Sequence, residues 1–202
     1  MTFLIAGLGN PGKRYEKTRH NIGFEVLKYF AKKYKLSFQK SDKLKGYFAA
    51  GMIEEEKVML LLPTTYMNES GKAVHKCMAY YKVDIDHLLV VVDDADIAFQ
   101  QMRLKDNSGT GGHRGLESVE EYLKTTSYPR LRMGIGRGDN EKASLVGHVL
   151  GGFTPEERKQ MPSFLDRACS IIVLWMKEGL QKAKNEANIR KITKPSDKEN
   201  KE

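Results

Sequence analysis

The sequence predicts an α/β fold: a single domain with a mixed, twisted β-sheet covered by helices on both faces. Three observations carry that expectation. Short apolar runs of strand character alternate along the chain with longer segments whose apolar residues recur at helical spacing. One short run, Leu88 to Val92, is Leu and Val throughout, which suits a strand buried on both faces. At 202 residues the chain fits one domain able to bury a sizeable core.

Taken in order, Thr2 to Ala6 reads as a strand running into a glycine turn. Ile22, Val26, Phe30 and Tyr34 recur every four residues, so the stretch from about Arg19 to Leu36 reads as an amphipathic helix. Gly46 to Ile53 and Lys57 to Leu62 read as two strands joined at the charged tip Glu54-Glu55-Glu56, and Pro63 ends the second. Ala73, Val74, Cys77, Met78 and Tyr81 form a second helical stripe. After the Leu88 run, Phe99 to Lys105 is a further expected strand, followed by Ser108-Gly109-Thr110-Gly111-Gly112. A third helix carries Leu116, Val119 and Leu123. In the next strand Leu131, Met133 and Ile135 alternate with Arg130, Arg132 and Gly134, so the arginines take the opposite face.

The last long helix opens on Thr154-Pro155-Glu156-Glu157, a capping box with proline at the first helical position. Met161, Leu165, Ala168, Ile172 and Trp175 then form a core stripe, and Pro162 is expected near the first turn, where its missing N–H does least harm. Residues 1–184 are expected to form the domain. Residues 185–202, polar and mixed in charge, are expected to be a disordered tail.

Composition excludes several classes. Hydrophobic residues at 40% and charged residues at 30% describe a globular protein. No apolar run approaches the roughly 20 residues of a membrane span. The N-terminus lacks a basic leader, so a cytoplasmic location and no membrane partner are expected. Cys77 and Cys169 stand alone, without zinc or disulfide spacing, and read as buried reduced thiols. Lys and Arg outnumber Asp and Glu by 34 to 26, a formal charge of +8 that is compatible with a polyanionic partner.

The candidate chemistry clusters in a few segments. Gly7-x-Gly9-x-x-Gly12 after a strand matches the dinucleotide fingerprint, but there the helix must open inside the motif. Here the helix starts only near Arg19, and no acidic residue follows at the required distance, so nucleotide binding is disfavoured. Asp93, Asp94 and Asp96 follow the buried strand. They can hold Mg²⁺, bond their own backbone in a turn, or supply one carboxylate to a histidine. Of the five histidines, His20 and His113 each adjoin a glycine turn, whereas His75 and His87 lie on or beside helical surface. Tyr66-Met67-Asn68 leaves a strand end where a cleft is expected, with Asn68 and Ser70 also able to cap the following helix.

Together these segments resemble one family, the bacterial-type peptidyl-tRNA hydrolases. The resemblance rests on Gly7-Leu8-Gly9-Asn10-Pro11-Gly12, Tyr15, Thr18-Arg19-His20-Asn21-Ile22-Gly23-Phe24, Thr65-Tyr66-Met67-Asn68-Glu69-Ser70-Gly71, Gly109-x-Gly111-Gly112-His113-x-Gly115-Leu116 and Arg130-Leu131-Arg132-Met133-Gly134-Ile135-Gly136. It implies hydrolysis of the ester joining a peptide to the 3′ end of tRNA, without cofactor or metal. His20 is implied as the general base for water and Asp93 as the group stabilising its basic role. Asn10 is implied to separate blocked peptidyl esters from free aminoacyl ones, and Asn68 to bind near the scissile carbonyl. The resemblance further implies that Tyr15, Tyr66 and Met67 meet the substrate, with His113 and Arg114 beside them, and that Lys105, Arg130 and Arg132 contact phosphates. The partner it implies is peptidyl-tRNA; nothing in the sequence demands more than a monomer, and no obligate protein partner is expected.

The chain departs from the family pattern at two places. Arg114 stands where the family usually has asparagine, keeping donors but losing the acceptor. Leu62 stands where lysine is frequent. An alternative of another class is an RNA-binding relative on the same fold that has lost activity, as in plant organelle splicing factors. Arg114 is the feature that favours it. The retained His20, Asp93, Asn10 and Asn68 favour the enzyme.

Overall fold

The computed structural model describes residues 1–138 and 144–189. Seven strands form one mixed sheet: β1 (Thr2–Gly7), β2 (Gln39–Ser41), β3 (Gly46–Ile53), β4 (Glu56–Pro63), β5 (Leu88–Asp94), β6 (Met102–Asn107) and β7 (Ser127–Gly134). Their spatial order is β2-β3-β4-β1-β5-β7-β6. β1 pairs in parallel with β4 on one side and β5 on the other, and β5 pairs in parallel with β7. The outer pairings are antiparallel.

Helices α1 (Ile22–Lys33), α5 (Pro155–Glu178) and α6 (Leu180–Ala187) cover one face, and α2 (Ser70–Tyr81) and α3 (Arg114–Leu123) the other. A short helix, α4 (Leu145–Leu150), lies beside the turn that leads into α1. Alternation along each central strand serves both cores. Phe3 and Ile5 of β1 face the α1 and α5 side, while Leu4 and Ala6 face α2 and α3. A fully buried Leu or Ile contributes about 1.5–3 kcal/mol, so the central strands anchor the domain from both faces. Among the described residues no helix is long and apolar enough to cross a membrane.

The two glycine motifs meet where β1 ends. A Cβ on Gly7 would strike the carbonyl of Gly23, and one on Gly23 would strike the backbone of Val91 and Leu8. Only glycine at both positions lets the start of α1 lie directly on the ends of β1 and β5. That approach brings His20 over the strand ends.

Three expectations are corrected. The expected strand at Phe99 begins at Met102, because Gln100 adopts φ 67° and the Gln101 N–H closes a turn onto the Ala98 carbonyl. Pro162 is not in the first turn, which Pro155 occupies; it lies well inside α5, on the exposed side. Losing that one N–H leaves the Arg158 carbonyl without its helical partner, while Phe164, Leu165, Ala168 and Ile172 bury the opposite stripe.

The tail boundary also moves. Residues 185–187 continue α6, with Ala183 and Ala187 fully buried. Asn188 then pairs its amide with edge strand β6, accepting from the Leu104 N–H at 2.9 Å and donating to the Leu104 carbonyl at 3.2 Å. The edge is thereby covered. The rest of the expected tail, residues 190–202, lies outside the described residues.

Candidate active site

Open sheets with parallel strands form ligand crevices beyond the carboxyl ends of the strands, where successive connections leave in opposite directions. Here that point is β1, flanked by β4 and β5. The segments following β1 and β4 carry Asn10 and Tyr66-Met67-Asn68, and Asp93 lies at the carboxyl end of β5. With His20, His113, Arg114 and Arg132 they line a cleft of about 460 Å³.

Asp93 ends the buried run of β5 and is itself buried. Its Oδ1 lies 2.8 Å from His20 Nδ1 and 3.0 Å from His113 Nε2. Burial pushes this carboxyl up, but the two histidines outweigh it and hold Asp93 well below the usual carboxylate range. Asp93 is therefore an anion at neutral pH and can only accept, so both ring nitrogens that face it carry protons. His113 Nδ1 accepts from the Gly115 and Leu116 N–H groups at 3.1 and 3.3 Å, which makes His113 the N-cap of α3. Neither nitrogen of His113 remains for a substrate. His20 is different: its Nδ1–H is spent on Asp93, and its Nε2 lone pair is left for the cleft.

Asn10 is fixed by a reciprocal clamp. Its N–H donates to Asn21 Oδ1, and Asn21 Nδ2 donates back to the Asn10 carbonyl, each at 2.9 Å. Asn10 Oδ1 accepts the Met67 N–H at 2.8 Å. The amide oxygen is thus occupied, and what Asn10 offers the cleft is its Nδ2 donor. Met67 is buried and acts through that backbone N–H, whereas Tyr66 and Asn68 are exposed on the cleft. Neither Asn68 nor Ser70 caps α2; Glu69 occupies the N-cap without a side-chain bond.

The three aspartates divide their work. Asp93 serves the histidines, Asp94 bonds Arg132 Nη1 at 2.8 Å and the Asp96 N–H at 2.8 Å, and Asp96 pairs with Arg137. Each carboxylate has its own partner, so they do not converge as a magnesium site. His20, Asp93 and His113 do converge, with ligand-type atoms within 4.8 Å of one another. A cation there has to displace the two protons that join them, and His113 Nδ1 is already engaged by α3.

Arg130 corrects the expected phosphate pair. It is fully buried, donating to the Ser108 carbonyl and Glu120 at 2.8 Å each and to the Thr126 carbonyl, over the ring of Tyr128. The alternation correctly puts it on the face away from Leu131 and Met133, but α3 covers that face. Arg132 lines the cleft, with one Nη on Asp94 and the other on the Gly109 carbonyl. Both arginines pin the 108–112 segment that walls the cleft. Lys105 is exposed in an adjoining cavity of about 530 Å³ that shares Asp94, Asp96 and Arg132 with the cleft. Tyr15 lies on the preceding turn and is not among the residues lining either cavity.

Sequence reasoning passes over Asn21, whose only signal is its place beside His20. It also passes over Leu145, Val146, Val149 and Leu150 of α4, the apolar wall of the cleft. Their spacing is helical but too short to mark a core helix.

The fold and site define an α/β protein with a His20–Asp93–His113 cluster in a cleft at the carboxyl edge of its sheet. The family model for peptidyl-tRNA hydrolase matches residues 4–196. The chain belongs to the peptidyl-tRNA hydrolase family and is an enzyme of that family. The peptidyl-tRNA hydrolase of Clostridium perfringens is 40% identical over 185 residues, spanning 92% of this chain and 96% of the relative. The crystal structure of peptidyl-tRNA hydrolase from Acinetobacter baumannii matches with a TM-score of 0.87 at 36% identity, over 94% of this chain and 96% of that one. A likeness to the Arabidopsis thaliana 5′-methylthioadenosine nucleosidase, TM-score 0.53 at 7% identity over 87% and 95% of the chains, concerns the fold alone.

Proposed function

We propose that this chain hydrolyses the ester between a peptide and the 3′ end of tRNA, with His20 as general base. The observation that carries this reading is the 2.8 Å contact from His20 Nδ1 to Asp93, which leaves Nε2 free in the cleft. His20 Nε2 takes a proton from water as the water oxygen attacks the ester carbonyl carbon. Asp93 stabilises the imidazolium that forms. The Asn68 amide donor meets the oxygen on which charge develops. Collapse breaks the bond to the ribose oxygen, which recovers the proton from His20 Nε2. The products are a free peptide carboxyl group and a tRNA hydroxyl.

Asn10 favours a blocked peptidyl chain by donating to a carbonyl. His113 acts through Asp93 rather than on the substrate. Tyr66 receives the 3′ end of the tRNA, and Lys105 and Arg114 meet phosphates without reading sequence, which suits an enzyme serving many tRNAs. In this reading the protein acts in the cytoplasm as a monomer, without cofactor or obligate protein partner.

The test is hydrolysis of an N-acetylated aminoacyl-tRNA by the wild type and by His20→Ala. Turnover is expected to fall by about 10²–10⁴ in the variant, with tRNA binding retained. Equal turnover in both removes His20 from the chemistry. RNA binding with no turnover in the wild type returns the chain to the binding-module alternative.

A further inference from the structure

Helix α4 supplies the apolar wall of the His20 cleft, yet none of its six residues is buried. A helix this short has no stability of its own. Apart from Val149, which packs partly buried against the core, its position depends on polar tethers. One is His148 Nε2 against the Ile135 carbonyl at 3.3 Å. The others converge on Arg19, the residue before the catalytic histidine. The Arg19 N–H donates to the Gly151 carbonyl at 2.9 Å, and Nη1 to the His148 carbonyl at 3.3 Å. Its Nη2 donates to Glu157 Oε2 at 2.9 Å. That same oxygen accepts the Thr154 N–H at 2.7 Å as half of the capping box of α5.

Arg19 is buried, and its Nε has no partner among the described residues. A buried guanidinium needs a counter-charge, and Glu157 is the carboxylate in contact with it. One carboxylate oxygen therefore fastens the start of α5 and, through Arg19, the end of α4.

We propose that Arg19 and Glu157 are positioning residues that hold α4 as the wall of the cleft and so set substrate affinity. The inference rests on the cleft being the peptidyl-tRNA site. His20 is oriented independently by Asp93, so loosening α4 leaves the base in place. A wall that touches the substrate equally before and during reaction contributes to KM and not to kcat.

The test compares Glu157→Gln with Thr154→Ala. Glutamine keeps an oxygen for the Thr154 N–H but removes the charge that Arg19 needs. Thr154→Ala weakens the same helix start without touching Arg19. With an N-acetylated aminoacyl-tRNA, Glu157→Gln is expected to raise KM about tenfold, the scale of one charged hydrogen bond, with kcat within about twofold. Thr154→Ala is expected to lower Tm and leave KM within about twofold. Amide exchange across residues 145–150 should accelerate in Glu157→Gln alone. An unchanged KM in Glu157→Gln, or equal KM shifts in both variants, overturns the proposal. If the wild type hydrolyses no such substrate, the functional reading fails by itself. The exchange measurement then still judges the tether, and wild-type exchange in Glu157→Gln overturns it.

Discussion

His113 Nε2 lies 3.0 Å from Asp93 Oδ1 while His113 Nδ1 caps α3, so one neutral imidazole links a helix to the carboxylate that orients His20. Two consequences follow from that double use. His113→Ala uncovers two N–H groups at the start of α3, and a lost cap costs about 0.5–2 kcal/mol. It also removes one of the two donors that hold Asp93, so the carboxylate gains freedom to rotate away from His20. The expected outcome is a lower Tm together with a fall in kcat at nearly constant KM. A loss of stability with wild-type kcat would confine His113 to the cap.

Asp93 makes a prediction in acid. Its folded-state pKa is depressed, so the stability it adds is fully present above the unfolded carboxylate value of about 3.9. That stability is lost as pH falls below this value through the lower folded one. Asp93→Asn lacks the titration. It should be less stable than the wild type at pH 7, with the difference narrowing as pH falls below about 4. Urea midpoints collected from pH 7 down to pH 2 measure this directly, and two parallel curves over that range would count against the assigned shift.

Arg130 and Lys105 carry the same charge and predict opposite defects. Arg130→Met leaves Glu120 without its partner and frees the Ser108 and Thr126 carbonyls, a loss on the scale of about 3–5 kcal/mol for a broken buried pair. Because its guanidinium never reaches solvent, the dependence of tRNA affinity on salt should not change wherever the variant is folded. Lys105→Ala should do the reverse, keeping Tm and reducing the slope of log affinity against log salt by about 0.7–0.9. Titrations of tRNA at several salt concentrations separate the two.

The contrast between Arg130 and Lys105 marks what sequence pattern conveys. Alternation around Leu131 and Met133 tells which face Arg130 takes, because that is a local property of a strand. It says nothing about α3 lying over that face. The capping box at Thr154 and the apolar run of β5 were legible for the same local reason. The end of the domain was not, because Ala183 and Ala187 dock α6 with side chains too small to mark a stripe. At the site, glycine turns singled out His20 and His113 and left Asp93 as one of three aspartates, while the roles of His20, Asp93 and Asn10 came from the family resemblance. The meeting of His20 and Asp93 across 73 residues, the clamp from Asn21 and the second nitrogen of His113 depend on how β1, β5 and α3 converge.

Asn10 supplies the sharpest test of the cleft, because its two amide atoms have separate duties. Oδ1 accepts the Met67 N–H and holds the segment that carries Asn68, while Nδ2 is the donor proposed for substrate. Asn10→Asp preserves an acceptor for Met67, deletes the donor and adds a carboxylate to the cleft that Asp93 also lines. It should keep the wild-type fold while lowering kcat/KM for a blocked aminoacyl-tRNA by about tenfold, the scale of one lost hydrogen bond. Asn10→Ala removes both duties. It should lose a comparable amount of activity and in addition lower Tm, since the buried Met67 N–H then lacks a partner at a cost of about 1–3 kcal/mol. The preference for blocked over free aminoacyl-tRNA should shrink in both variants. An aspartate variant that retains the wild-type kcat/KM and preference would show that Nδ2 does not meet the substrate, and would leave Asn10 as a structural clamp for Met67.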